Sequence, residues 1–181
     1  MGKAKIIYTL EESADKADIW EGLVWGGMEI ARLSFTSGEM EAYKRRSCQL
    51  KQLCNGMEIP LSILMDIKGT DQTKEKMREN ILFGIEENVD YVTVSFVHSG
   101  KEAGNVRKFL NENGGAHIGL IVKITDGQKM NEMDAILEAA DGVMVEHDPC
   151  ILQREAMKKA YYARKMLITT TQMLDFRVSP S

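Results

Sequence analysis

Residues 63–76 read ILMDIKGTDQTKEK. The apolar run carries Asp66 and Lys68 two positions apart, and alternate residues of a strand share a face. Gly69 then breaks the run, and residues with helical spacing follow. The stretch therefore reads as a strand that ends by presenting two opposite charges on one face, followed at once by a helix: the core of a βα unit.

The same unit recurs in both directions along the chain. Runs at 5–10 (KIIYTL), 28–35 (MEIARLSF), 60–67 (PLSILMDI), 89–97 (VDYVTVSFV), 117–124 (HIGLIVKI), 141–147 (DGVMVEH) and 165–171 (KMLITTT) make seven strand candidates. Between them 38–54, 73–88, 103–115, 129–142 and 150–165 have helical spacing, and in 73–88 Met77, Ile81, Leu82 and Ile85 fall on one stripe. Gly114, Gly115 and Gly142 stand where helix C-caps are expected.

Alternation of strand and helix predicts an α/β fold with a parallel sheet, in a single domain over 1–181. A doubly wound open sheet and a (β/α) barrel compete, and both place function at the C-terminal ends of the strands. After the first strand, Leu10-Glu11-Glu12 stands where a dinucleotide-binding glycine turn would begin, and no Walker-type phosphate loop occurs. The barrel is favoured. Seven strands in 181 residues fall one unit short, so the expected architecture is an incomplete TIM-type (β/α) barrel.

A hydrophobic share of 44% with 28% charged residues is ordinary for a globular domain, and a net charge of −4 without any basic tract leaves no footprint for nucleic acid or an anionic membrane. Three cysteines without paired metal spacing, and an opening too short and polar for a signal peptide, point to a reduced, cytoplasmic protein. No apolar run reaches membrane-spanning length.

The predicted strand ends collect cations and hydroxyls: Arg32, Ser34 and Thr36, then Asp66 and Lys68, then Ser95, Lys123, Thr125, Thr169 and Thr171. Arg32 and Lys123 lie inside apolar strands, where burying a charge costs several kcal/mol unless an opposite charge meets it. Asp66 balances one of them, and a bound phosphate or carboxylate is the natural second partner. In the competing reading Arg32, Asp66 and Lys123 form a structural ion-pair network at the barrel mouth. Glu146 and Asp148 share a face, and either, with Asp126, suits a hard cation such as magnesium; a solvated loop explains them as well.

The runs MEIARLSFTSG, ILMDIKG, ILFGIEENVDYVTVSFV, IGLIVKI, ILEAADGVMV and ITTTQML resemble, in order and spacing, the catalytic barrel of pyruvate kinase, from Lys3 to Asp175. The resemblance implies that Arg32 and Lys123 face the phosphate of phosphoenolpyruvate, with Lys123 stabilising charge in transfer and Thr171 beside the substrate methylene carbon. Lys68 and Ser95 join them as substrate-binding candidates. Ser34, in place of an asparagine, with Thr36, Asp66 and the Ile67 carbonyl, falls where the family holds potassium. No organic cofactor is implied.

Departures matter as much. Lys123-Ile124-Thr125-Asp126 lacks the glutamate two residues after the lysine, and Glu146-His147-Asp148-Pro149 replaces the segment that carries the magnesium aspartate and the glycine turn for the substrate carboxylate. Asp126, Glu146 and Asp148 are then the remaining magnesium candidates. Thr70-Asp71 runs straight into a helix where the family inserts a lid domain, and neither a last barrel unit nor a C-terminal domain follows. The expectation is a pseudoenzyme barrel that binds a small phosphorylated or carboxylated anion without transferring phosphate to ADP. The alternative is a diverged metal-assisted enzyme acting on a pyruvate-like or phosphorylated acid. Seven strands leave two open edges, so a homodimer or a hetero-assembly covering the seam is also expected.

Overall fold

The computed structural model describes residues 5–10, 16–35, 39–67, 73–95, 97–124, 131–145 and 151–169, with only the backbone at 151–153. The chain alternates as β1 (Ile6–Leu10), α1 (Ala17–Trp25), β2 (Met28–Phe35), α2 (Met40–Met57), β3 (Ser62–Ile67), α3 (Lys74–Glu86), β4 (Tyr91–Val94), α4 (Gly100–Glu112), β5 (Gly119–Ile124), α5 (Met133–Ala139), β6 (Gly142–Val145), α6 (Ile151–Tyr162) and β7 (Met166–Thr169). All seven strands pair in parallel and in sequence order, β1 to β7, and the sheet curls as an incomplete α/β barrel.

Period-two alternation divides the strands between two cores. On the convex face Ala31, Leu33 and Phe35 of β2, with Met65, Val92 and Val122, pack under helix residues such as Leu50, Ile81, Val106 and Ile136. On the concave face Ile30, Leu64, Ile121, Met144 and Ile168 form a smaller cluster, with Ile7, Tyr91 and Met166 against it. A strand residue two positions further on the concave face lies at the C-terminal rim. That is how Arg32, Asp66, Thr93 and Lys123 come to share one wall.

Large and small residues alternate across the bottom of that wall. Tyr91 pairs with Gly119, and a Cβ on Gly119 would collide with the Tyr91 ring. Gly142 pairs with Met166, and a Cβ there would stand 2.5 Å from the Met166 carbonyl oxygen. Gly142 is thus an opening strand residue rather than the helix cap expected of it, because α5 ends at Ala140 in extended conformation and the close neighbour strand demands the missing side chain. Gly114, at φ +88, does follow the end of α4 in the left-handed region that favours glycine.

The same end of the sheet holds a repeated latch. Asp90, just before β4, donates its N–H to the Ile63 carbonyl and accepts the Ile63 N–H on its carboxylate at 2.7 Å. Asp141, just before β6, does the same with Leu120, accepting its N–H at 2.8 Å. Arg107 of α4 then bonds the Asp141 carboxylate and the Ile118 and Ala139 carbonyls. Bottom-face devices of this kind serve barrel stability.

Two expectations from helical spacing are corrected. The helix α1 falls in a segment to which no helix was assigned; it buries only Trp20 and Val24, carries Gly22 and leaves Trp25 73% exposed, so its stripe is faint. In α3 Leu82 is 37% exposed, whereas Asn80, Ile81, Phe83 and Gly84 are buried. Gly84 brings the helix so close that a Cβ would stand 3.1 Å from the Met65 sulfur, which turns the buried face toward Phe83. Phe83 stacks on Phe35 at 4.8 Å between ring centres, with Tyr43 edge-on to both. β4 is also shorter than its apolar run, stopping at Val94.

Candidate functional site

Four strands, β2 to β5, build the charged wall. Arg32 lies on β2, opposite Leu64 in register, and its side chain leans forward to Asp66 of β3. Nε and Nη2 both donate to Asp66 Oδ2, at 3.0 and 2.5 Å. Nη1 reaches Thr9 Oγ1 of β1 at 3.4 Å. A guanidinium carries five N–H donors, so among the described residues N–H groups are left over on both Nη atoms. Thr93 of β4 is fully buried, and its hydroxyl donates to Asp66 Oδ1.

Asp66 is 1% exposed, which sets the electrostatics. Burial alone pushes its carboxyl up, but the Arg32 guanidinium, the hydrogen bonds from Thr93 and Arg32, and the Lys123 ammonium of β5 together hold it below the usual carboxylate range. Lys123 therefore acts on the same carboxylate as Arg32, from two strands further round the wall. Of the ion-pair network considered from sequence, the Arg32–Asp66 pair is formed at 2.5 Å, and the Lys123 charge acts on the same carboxylate.

Other predicted site residues divide cleanly. Ser34 is half-buried and faces Asp66 directly in register. Ser95 follows β4 at the position that alternation aligns with Thr93. Thr36, Lys68, Asp126, Glu146, Asp148 and Thr171 lie outside the described residues. Among the described residues no group of three or more His, Cys, Asp or Glu side chains is placed to hold a metal ion.

Sequence reading missed Thr93, Thr9 and Arg46. Thr93 shares the two-residue period of Ser95 and was legible as its neighbour on the face. Arg46 was not: it sits on α2, 5% exposed, and donates to the Leu10 carbonyl at 2.7 Å, a partner that the docking of helix on sheet brings to it. Two clefts, of about 620 and 380 Å³, open at the opposite end of the strands, where residues such as Ser62, Asp90 and Gly119 line them, away from the charged wall.

Comparison with known proteins adds ancestry to this geometry. A family model described as pyruvate kinase, barrel domain, matches residues 70–180. The chain is 33% identical over 166 residues to a pyruvate kinase of Bacillus licheniformis, covering 86% of this chain and 27% of that protein. It is 38% identical over 166 residues to one of Geobacillus stearothermophilus, with the same coverage. Against a pyruvate kinase of Clostridium perfringens it is 24% identical over 282 residues, covering 97% of this chain and 59% of the relative. That alignment is longer than the chain itself, so part of the relative lies opposite gaps. The chain spans about a quarter of the length of the first two relatives.

Proposed function

We propose, from the premise that this chain belongs to the pyruvate kinase barrel-domain family, that it binds a small phosphorylated or carboxylated anion at the C-terminal rim of its concave face and does not transfer phosphate to ADP. The observation that carries the first half is the bonding of Arg32 to the buried Asp66 carboxylate, on which the charge of Lys123 from β5 also acts. Asp66 engages one side of the guanidinium, and the N–H groups remaining on its Nη atoms are donors of the kind that recognise phosphate or carboxylate. Lys123 supplies a second positive charge to the same guest, and Lys68, Ser95 and Thr171 complete the proposed contacts.

Support for the second half comes from the chain between strand and helix. Residues 68–73 are all that joins β3 to α3, at the place where the family inserts its lid. Phosphoryl transfer needs a closed, dry site that holds metal and nucleotide in line. Asp126, Glu146 and Asp148 are hard oxygen donors of the type magnesium prefers. They stand in segments that differ from the family pattern, and Lys123 and Arg32 would act on a guest without them.

We also propose a cytoplasmic protein that binds neither nucleic acid nor membrane and assembles with a second copy or another protein across its sheet edges. Among the described residues no helix is long and apolar enough to cross a membrane.

Thermal shift with phosphoenolpyruvate, pyruvate and inorganic phosphate tests the anion site. A guest at 100 times its Kd stabilises by about 2.7 kcal/mol, and Lys123→Met is expected to abolish the shift while the circular dichroism spectrum stays unchanged. No shift with any of the three anions overturns the binding half. Turnover with ADP and magnesium near the ~1–100 per second usual for kinases overturns the other. A magnesium-dependent reaction on phosphoenolpyruvate without ADP would instead establish the diverged enzyme.

A further inference from the structure

The sequence resemblance places a potassium ion against Ser34, Thr36, Asp66 and the Ile67 carbonyl, and the geometry of Asp66 argues against it. We infer that the Arg32 guanidinium, bonded to an Asp66 carboxylate whose other oxygen is held by Thr93, takes the role of that ion, so that this chain has no monovalent-cation requirement. The inference rests on the anion-site reading only in its second readout, described below.

Both oxygens of Asp66 are already committed to protein donors. Oδ2 accepts Nε and Nη2 of Arg32, and Oδ1 accepts the Thr93 hydroxyl. A carboxylate has about four lone-pair sites, and three are used by groups that are themselves held in strands. An ion ligated by what remains of Oδ1 would stand beside a guanidinium bonded to the same carboxylate, and like charges at such separation repel strongly in a buried site. Asp66 needs no further cation, since its buried charge is compensated by Arg32 and Lys123.

Thr93 is the positioning residue in this arrangement. It is fully buried between Val92 and Val94 in β4 and pairs with Asp66 in register. A β-branched side chain in a strand has a restricted χ1, so its hydroxyl is held toward Oδ1. Valine has nearly the same shape and no hydroxyl, so Thr93→Val would release Oδ1 and leave an acceptor for an outside ion.

The test compares potassium chloride with tetramethylammonium chloride at equal ionic strength, on the full chain. Without phosphate, Tm is expected to differ by less than about 1 °C between the salts. With inorganic phosphate as the probe, the apparent Kd is expected to change by less than about twofold. Thr93→Val is expected to gain a saturable, potassium-specific rise in Tm and to shift its acid unfolding to higher pH, and Thr93→Ser to behave as the parent chain.

A saturable potassium-specific stabilisation of the parent, or phosphate binding that appears only with potassium, overturns the inference. A Thr93→Val chain that folds and matches the parent in both salt and acid response overturns the role of Thr93. Should Thr93→Val fail to fold, the parent comparison still decides the ion question. Absence of phosphate binding in both salts would instead sink the anion site, and the comparison of Tm without phosphate would then decide the ion question alone.

Discussion

Asp66 shows how a single residue ties ancestry to stability. Its folded pKa lies below the ordinary carboxylate value, so the unfolded chain binds the proton more readily and stability rises as pH climbs through that window. The contribution is complete above the unfolded value of about 3.9 and is lost as pH falls through the folded one. Asp66→Asn removes the charge and strands Arg32 in a mostly buried place, at a cost of about 3 kcal/mol at pH 7. Urea denaturation of both chains across pH should show that gap narrow steadily below about pH 4; a gap that stays constant would mean the loss is one of packing. Arg32, Asp66 and Lys123 were legible in the sequence because a charge inside an apolar run demands a partner. Thr93 was overlooked because a threonine in a valine-rich strand reads first as a strand former.

At the level of elements, each βα unit is closed by local devices as well as by the core. Thr73 accepts the Lys76 N–H at the start of α3, and Ser99 accepts the Glu102 N–H at the start of α4. Lys51 donates to the Glu87 carbonyl at 2.6 Å, and Lys165 to the Ala140 carbonyl at 2.9 Å, each capping a helix end on the bottom face. The paired aspartate latches belong to the same layer. Asp141→Ala leaves the N–H of Leu120, a fully buried residue, without its carboxylate acceptor, for a predicted loss of about 2 kcal/mol. The urea midpoint should fall with an unchanged m-value, and phosphate binding at the far rim should be unaffected. A loss of binding that outlasts correction for folding would tie the bottom latch to the rim.

At the scale of the sheet, β1 and β7 are the terminal strands among the described residues, and each has one hydrogen-bonding edge without a strand beside it there. Tyr162 at the end of α6 is 80% exposed and Trp25 at the end of α1 is 73% exposed. Sedimentation equilibrium is expected to give a homodimer, or a larger hetero-assembly when a partner is present; a monomer across the micromolar range would overturn the expectation. The alternation of strand and helix, the parallel sheet and the charges at the strand ends were determined by the sequence itself, because a two-residue period and a lone buried charge are local facts. The rotation of α3 about Gly84, the burial of Arg46 beneath β1, the latches of Asp90 and Asp141, and the commitment of both Asp66 oxygens to Arg32 and Thr93 were decided only in the tertiary structure. Each depends on which residues of different strands and helices are brought face to face, and no spacing along one chain segment carries that information.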